Sequence, residues 1–141
     1  MSGGLYEGGI KELASQELAP RSLPHPDKQV SVDNPFCGDR VDLEINLEDG
    51  RITALAQQVR GCMLCTAAAN VMARSAVGLS ASEIEQVDNS LKAMLGGQDI
   101  LQWTPPGWES LAEFEPVRRH KSRHGCVTLP FRALLEALSS A

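Results

Sequence analysis

Aromatic residues are scarce in this chain of 141 residues: three Phe, two Trp and one Tyr. A hydrophobic core therefore has to come from Leu, Val, Ile, Ala and Met. No apolar run approaches the about 18 residues of a membrane-spanning helix, which excludes a helical membrane span. Met1 to Ile10 is rich in glycine and has neither the basic start nor the apolar stretch of a secretory leader, so a cytoplasmic location is expected. Positive charge is also in deficit. Thirteen Lys and Arg against 18 Asp and Glu give a formal net charge of -5 and a pI of about 5.1. Nucleic-acid binders usually carry a basic face that neutralises phosphate, and none is legible here. The short cluster Arg118, Arg119, His120, Lys121, Arg123 and His124 reads as a solvated loop. Internal repeats and low-complexity tracts are missing too.

What is present suggests one domain over residues 1–141. Residues 1–16 can form a short helix through Leu5, Tyr6, Ile10 and Leu13, weakened by Gly8 and Gly9. Pro20, Pro24 and Pro26 then make a loop, so residues 1–28 form an N-terminal helix and loop. Gln29 to Val32 reads as an edge strand. Val41, Leu43, Ile45 and Leu47 alternate with polar residues, the period of a strand with one buried face. Glu48-Asp49-Gly50 supplies a turn, and Arg51 to Val59 the returning strand. Cys65 to Val77 is rich in alanine and reads as a helix between Gly61 and Gly78. Ser80 and Glu83 fit a capping box, followed by an apolar stripe of Ile84, Val87, Leu91 and Leu95 that ends at Gly96-Gly97. Residues 95–122 read as an irregular insertion with one short helix near Trp108 to Phe114. A last helix is expected from about Thr128, with Pro130 in its first turn and Phe131, Leu134, Leu135 and Leu138 on its buried face. Strands first and helices after imply an α+β domain: a small antiparallel sheet of about three strands with helices packed on one face.

The four cysteines carry the chemistry. In a reducing compartment, metal binding or thiol chemistry is a more natural use for them than disulfides. All four fall where the chain changes element. Cys37 precedes the first strong strand, Cys62 and Cys65 lie between strand and Ala-rich helix, and Cys126 stands in the loop before the last helix. Thiolate is the metal ligand and the nucleophile, and an ordinary thiol is mostly protonated at neutral pH. A helix N-terminus favours thiolate at Cys62, Cys65 and Cys126. Gly38, Gly61 and Gly125 allow sharp turns and close approach. In Cys37-Gly38-Asp39, extended backbone points thiol and carboxylate to one side, a sulfur–oxygen half-site for zinc or iron. The alternative for Asp39 is a turn residue at a strand edge.

Three segments, in this order, resemble the U-type iron–sulfur scaffold family (IscU, SufU and the N-terminal domain of NifU). They are Asn34-Pro35-Phe36-Cys37-Gly38-Asp39, Gly61-Cys62 opening an Ala-rich helix, and Cys126-Val127-Thr128-Leu129-Pro130-Phe131-Arg132-Ala133-Leu134. The long segment before Cys126, and Arg123 three residues ahead of it, are more similar to the SufU type. The Leu-Pro-Pro-Val-Lys segment with which IscU proteins bind their chaperone is lacking. Gly125 stands where a His would precede the third Cys, with His124 one residue further back.

The resemblance implies a shared metal and cofactor site of Cys37, Asp39, Cys62 and Cys126. It implies zinc or iron as the ion, a transient 2Fe–2S cluster, and a cysteine desulfurase as sulfur source. Recipient apo-proteins or downstream cluster carriers would take the product. No nucleic acid or membrane partner is expected. Within that frame Cys126 is the expected sulfur acceptor, its thiolate favoured by Arg123 and His124, and Arg123 stabilises the released ligand. Such a protein is a persulfide carrier rather than a conventional enzyme. Three alternatives stay open: a zinc-dependent sulfur-transfer partner that activates the desulfurase without building a cluster, a purely structural zinc interaction module, and a redox-sensing variant. Cys65 makes Cys62-Met63-Leu64-Cys65 a CxxC and has two readings, an accessory ligand or resolving thiol, and a small buried residue of the first helical turn.

Overall fold

The structure, a computed structural model, describes residues 9–16 and 19–139. Strands β1 (Lys28–Asn34), β2 (Asp39–Glu48) and β3 (Arg51–Arg60) form one antiparallel sheet in the order β1-β2-β3. The alternation read from the sequence holds: Val41, Leu43 and Ile45 are buried, while Asp42 and Glu44 face the other side of the sheet. There, Ser31 donates to Asp42 and Gln29 to Glu44 across the β1–β2 pair. The β2–β3 turn uses two residues, Asp49 and Gly50, both at positive φ (53° and 76°). That is the pair of backbone states a tight hairpin needs to match strand twist.

Helices α1 (Gly9–Ala14), α2 (Met63–Ser75), α3 (Ala81–Leu95) and α4 (His124–Ser139) follow the expected order. Of the residues expected in the first helix, Ile10 and Leu13 are buried, and Leu5 and Tyr6 lie outside the described residues. Ala67, Ala68 and Ala69 are fully buried, so α2 sits close to its neighbours with little side-chain bulk. Asn70 of α2 holds α1 by donating to the carbonyls of Leu13 and Gln16. The Ser80–Glu83 capping box is present, with the Ser80 N–H donating to Glu83 Oε1 at 3.0 Å. Gly97, at φ 108°, closes α3 as its position suggested.

Two expectations need correction. The short helix expected near Trp108 to Phe114 is longer and of another type: Glu109–Arg119 forms an 11-residue 3-10 helix, while 96–108 is irregular as expected. Trp108, Leu111, Phe114 and Val117 are all fully buried and recur every third residue. A helix with three residues per turn lines such a series up on one face. Trp108 carries this face onto α4, its ring centroid 5.8 Å from that of Phe131 at 53°. The last helix also starts earlier, at His124 rather than near Thr128, because the short 3-10 turn Lys121–Arg123 feeds directly into it. Pro130 therefore lies in the second turn. Lacking an N–H, it leaves the carbonyl of Cys126 without its usual i+4 donor. Cys126 is accordingly inside the first turn of α4 and not in a preceding loop.

Phe131 joins the insertion to the main core. Its replacement by Ala is expected to cost about 3–5 kcal/mol in urea unfolding. A loss well under that range would mean that the Trp108 face is not seated on α4.

Candidate metal centre

Three stretches of chain meet at one end of the sheet. The first is the β1–β2 connection. Strand pairing sets Asn34 opposite Asp39, leaving four residues to turn the corner. The Asn34 carbonyl accepts the N–H groups of Cys37 (3.3 Å) and Gly38 (2.9 Å), and its side-chain Oδ1 accepts that of Phe36 at 3.1 Å. Gly38 supplies the positive φ of 76° that lets the chain re-enter β2. The loop so held carries Cys37 at the surface beside Phe36, whose side chain is 96% exposed.

The β2–β3 register supplies the second contact. Arg40 pairs with Arg60, so Asp39 falls beside Gly61 where β3 leaves the sheet. Asp39 is 2% exposed, and its Oδ1 accepts the Cys62 N–H at 3.0 Å. A Cβ on Gly61 would lie 2.8 Å from that same oxygen, so a residue without a side chain is required there. Cys62 caps α2, with its thiol 3.6 Å from Asp39 Oδ2.

Cys126 comes from α4, and its thiol lies 3.4 Å from the sulfur of Cys37. Neighbouring Gly125 allows that approach, since a Cβ on it would meet Asn34 Nδ2 at 2.8 Å. The donor atoms of Cys37, Asp39 and Cys126 all lie within 4.8 Å of one another. Cys62 adjoins this group through its contact with Asp39. Of the four side chains singled out in the sequence, Cys37, Asp39 and Cys126 form one group, and Cys62 stands beside it at Asp39 without belonging to it. Two soft sulfurs, one of them at the surface, and one hard oxygen form a group that could hold a metal ion, with a third thiol next to it.

The electrostatics run against one expectation. Burial, followed by contacts with Cys37, Asp39 and Cys62, pushes the Cys126 pKa well up. Thiolate is therefore not favoured there by helix position and basic neighbours alone. The His124 ring turns away, its Nε2 3.1 Å from the Val117 carbonyl and 3.2 Å from that of Arg118. It fastens α4 to the 3-10 helix instead. A cation among the donors reverses this balance, because its charge outweighs the surrounding dipoles. Cys65, the third residue of α2, lies deeper and is closed to solvent. Burial, then the charges of Asp39, Cys62 and Cys37, push its thiol up as well. Arg123 is half-buried in the 3-10 turn leading to α4. Sequence reading gave no role to Asn34, which organises the Cys37 loop, although an Asn-Pro pair is a turn signal.

Residues 16–100 match the NifU-like N terminal domain. The chain belongs to this family. The matched span contains Cys37, Asp39 and Cys62, while Cys126 lies beyond it. Among individual proteins it is 30% identical over 112 residues to the iron–sulfur cluster assembly scaffold protein IscU of Streptococcus pyogenes serotype M1, covering 77% of this chain and 67% of that one. The crystal structure of a nitrogen-fixing NifU-like protein (N-terminal) from Brucella abortus superposes with a TM-score of 0.87 at 29% identity, covering 96% of this chain and 92% of that chain. A putative iron–sulfur cluster assembly scaffold protein for the SUF system from Fervidobacterium islandicum shares the fold, with a TM-score of 0.86 at 22% identity over 99% and 100% of the two chains.

Two outcomes follow from this geometry. Gly61→Ala is expected to cost about 1–3 kcal/mol in urea unfolding through the clash with Asp39. Gly96→Ala, whose Cβ would meet backbone atoms no closer than 3.4 Å, should be near neutral. Equal effects would contradict the packing described. In the unfolded chain the thiols ionise near their ordinary value of 9.0, while folded Cys65 and Cys126 hold their protons to higher pH. The metal-free protein should therefore lose stability as pH rises past about 9. Urea midpoints that stay flat or rise between pH 7 and 10 would show that these thiols are not held protonated.

Proposed function

We propose that this chain is a scaffold on which iron and sulfide are assembled into a 2Fe–2S cluster, held by Cys37, Asp39, Cys62 and Cys126. The observation that carries the reading is the grouping of the Cys37, Asp39 and Cys126 donor atoms, with the Cys62 thiol beside Asp39, in a member of the NifU-like family. The similarity to the streptococcal assembly scaffold supports it.

Iron and sulfur are cargo here, so the site must both bind and release. The three cysteines supply soft ligands for iron. Asp39 supplies a harder and weaker partner for a cluster, which makes its bond the natural one to exchange. The Asn34 hub keeps Cys37 at the mouth of the site, where incoming cargo first meets it. Cys126 is the sulfur acceptor, taking persulfide sulfur from a cysteine desulfurase. It is buried behind Cys37, so docking of the desulfurase must displace the 35–38 loop before the sulfur reaches it. Arg123 then stabilises the freed Asp39 carboxylate or the Cys126 thiolate. Recipient apo-proteins or cluster carriers in the cytoplasm take the product. Among the described residues no helix is long and apolar enough to cross a membrane.

The same three sulfurs and one oxygen also satisfy the four-coordinate preference of zinc. A resident zinc ion would keep the thiols ionised until sulfur arrives, and the protein would then serve as a zinc-dependent sulfur relay. The open, exposed side at Cys37 speaks against a purely structural zinc module, whose ligands are normally closed off.

Anaerobic incubation with a cysteine desulfurase, L-cysteine and ferrous iron, followed by visible absorbance and protein mass, tests the proposal. A cluster chromophore is expected in the wild type and not in Cys126→Ser, which should also fail to gain sulfur. Asp39→Ala should hold its cluster longer. Persulfide without a chromophore would favour the sulfur relay. Neither sulfur nor chromophore in the wild type would sink both readings.

A further inference from the structure

Cys65 stands outside the four donors assigned above, yet it shares a helical turn with one of them. Cys62 caps α2 and Cys65 is its third residue. The Thr66 N–H donates to the Cys62 carbonyl at 3.0 Å, so the first turn closes through Cys62. Residues three apart lie on one face of such a turn. Helix geometry sets their Cα atoms about 5–6 Å apart, within the range that a disulfide spans without strain. The Cys62 thiol makes no capping bond to the helix and is half-buried. Cys65 is closed to solvent.

Electron count gives this pair a use. Persulfide sulfur arrives at the zero oxidation level, whereas a cluster takes up sulfide, two electrons more reduced. We propose that Cys62 and Cys65 form an internal dithiol that reduces sulfur delivered to the site and releases it as hydrogen sulfide. This rests on the sulfur-acceptor reading above. The outer sulfur of a Cys126 persulfide is first attacked by the Cys62 sulfur. A bond to Cys62 forms, the bond to Cys126 breaks, and Cys126 regains its thiol. The Cys65 sulfur then attacks Cys62 Sγ. An S–S bond forms between the two cysteines as the bond to the outer sulfur breaks. The outer sulfur leaves with the electron pair and takes up the Cys65 proton, departing as hydrogen sulfide. Each cysteine sulfur has lost one electron and the departing sulfur has gained two. An external dithiol reductant resets the pair. The burial of Cys65 keeps these electrons from oxidants in solution while leaving them available to its neighbour.

The test uses the reduced full chain, loaded anaerobically with a cysteine desulfurase and L-cysteine, then freed of both and held without reductant. Sulfide, intact mass and disulfide-mapped peptides are followed with time. Wild type is expected to release about one sulfide per chain and to end with a Cys62–Cys65 disulfide. Cys65→Ser and Cys65→Ala should take up the same sulfur and release sulfide about tenfold more slowly or less. Wild type that retains its persulfide as long as these variants, or that ends with a disulfide excluding Cys65, overturns the inference and leaves the acceptor reading standing. Wild type that takes up no sulfur overturns the acceptor reading and the inference with it.

Discussion

The bond from the Cys62 N–H to Asp39 Oδ1 joins the end of the sheet to the start of α2, and the rest of the site is arranged around it. Asp39 is held from one side by its pairing with Asn34 and from the other by the close pass of Gly61. Once the carboxylate is fixed, Cys62 is fixed through its backbone. The loop before Asp39 then has four residues in which to present Cys37. A buried carboxylate without such donors would be costly. Here the sheet register gives it an amide, and the neighbouring thiols complete its surroundings.

That arrangement leaves thiols and a carboxylate crowded together. Burial holds Cys126 and Cys65 in the protonated form. A metal ion bound there would displace those protons. A site whose ligands prefer to be neutral when empty binds less tightly than one already ionised. That suits a protein that hands its cargo on.

Much of the frame was legible because periodicity reports burial directly. The period-two run from Val41 to Leu47, the Asp49-Gly50 turn and the Ile84 to Leu95 stripe were read with nearly the right limits. The grouping of Cys37, Asp39 and Cys126 was legible too, since cysteines flanked by glycines at element edges are an uncommon pattern. The helix in the insertion was legible only as a short one, and its 3-10 type and full length were missed, although Trp108, Leu111, Phe114 and Val117 advertise them. A spacing of three is rarely sustained so long, and proline and glycine nearby suggested a loop. The start of α4 was placed late because proline normally marks a first turn, whereas here a 3-10 turn feeds in ahead of it. Burial at Cys126 is a tertiary fact that local signals, a helix terminus and adjacent basic residues, cannot reveal.

Metal-edge X-ray absorption on the iron- or zinc-loaded protein measures the donor set directly. Three sulfur ligands and one oxygen from the protein are predicted, falling to two sulfurs in Cys126→Ser. A shell made of nitrogen and oxygen alone, or one unchanged by that substitution, would contradict the convergence of these four side chains on one ion.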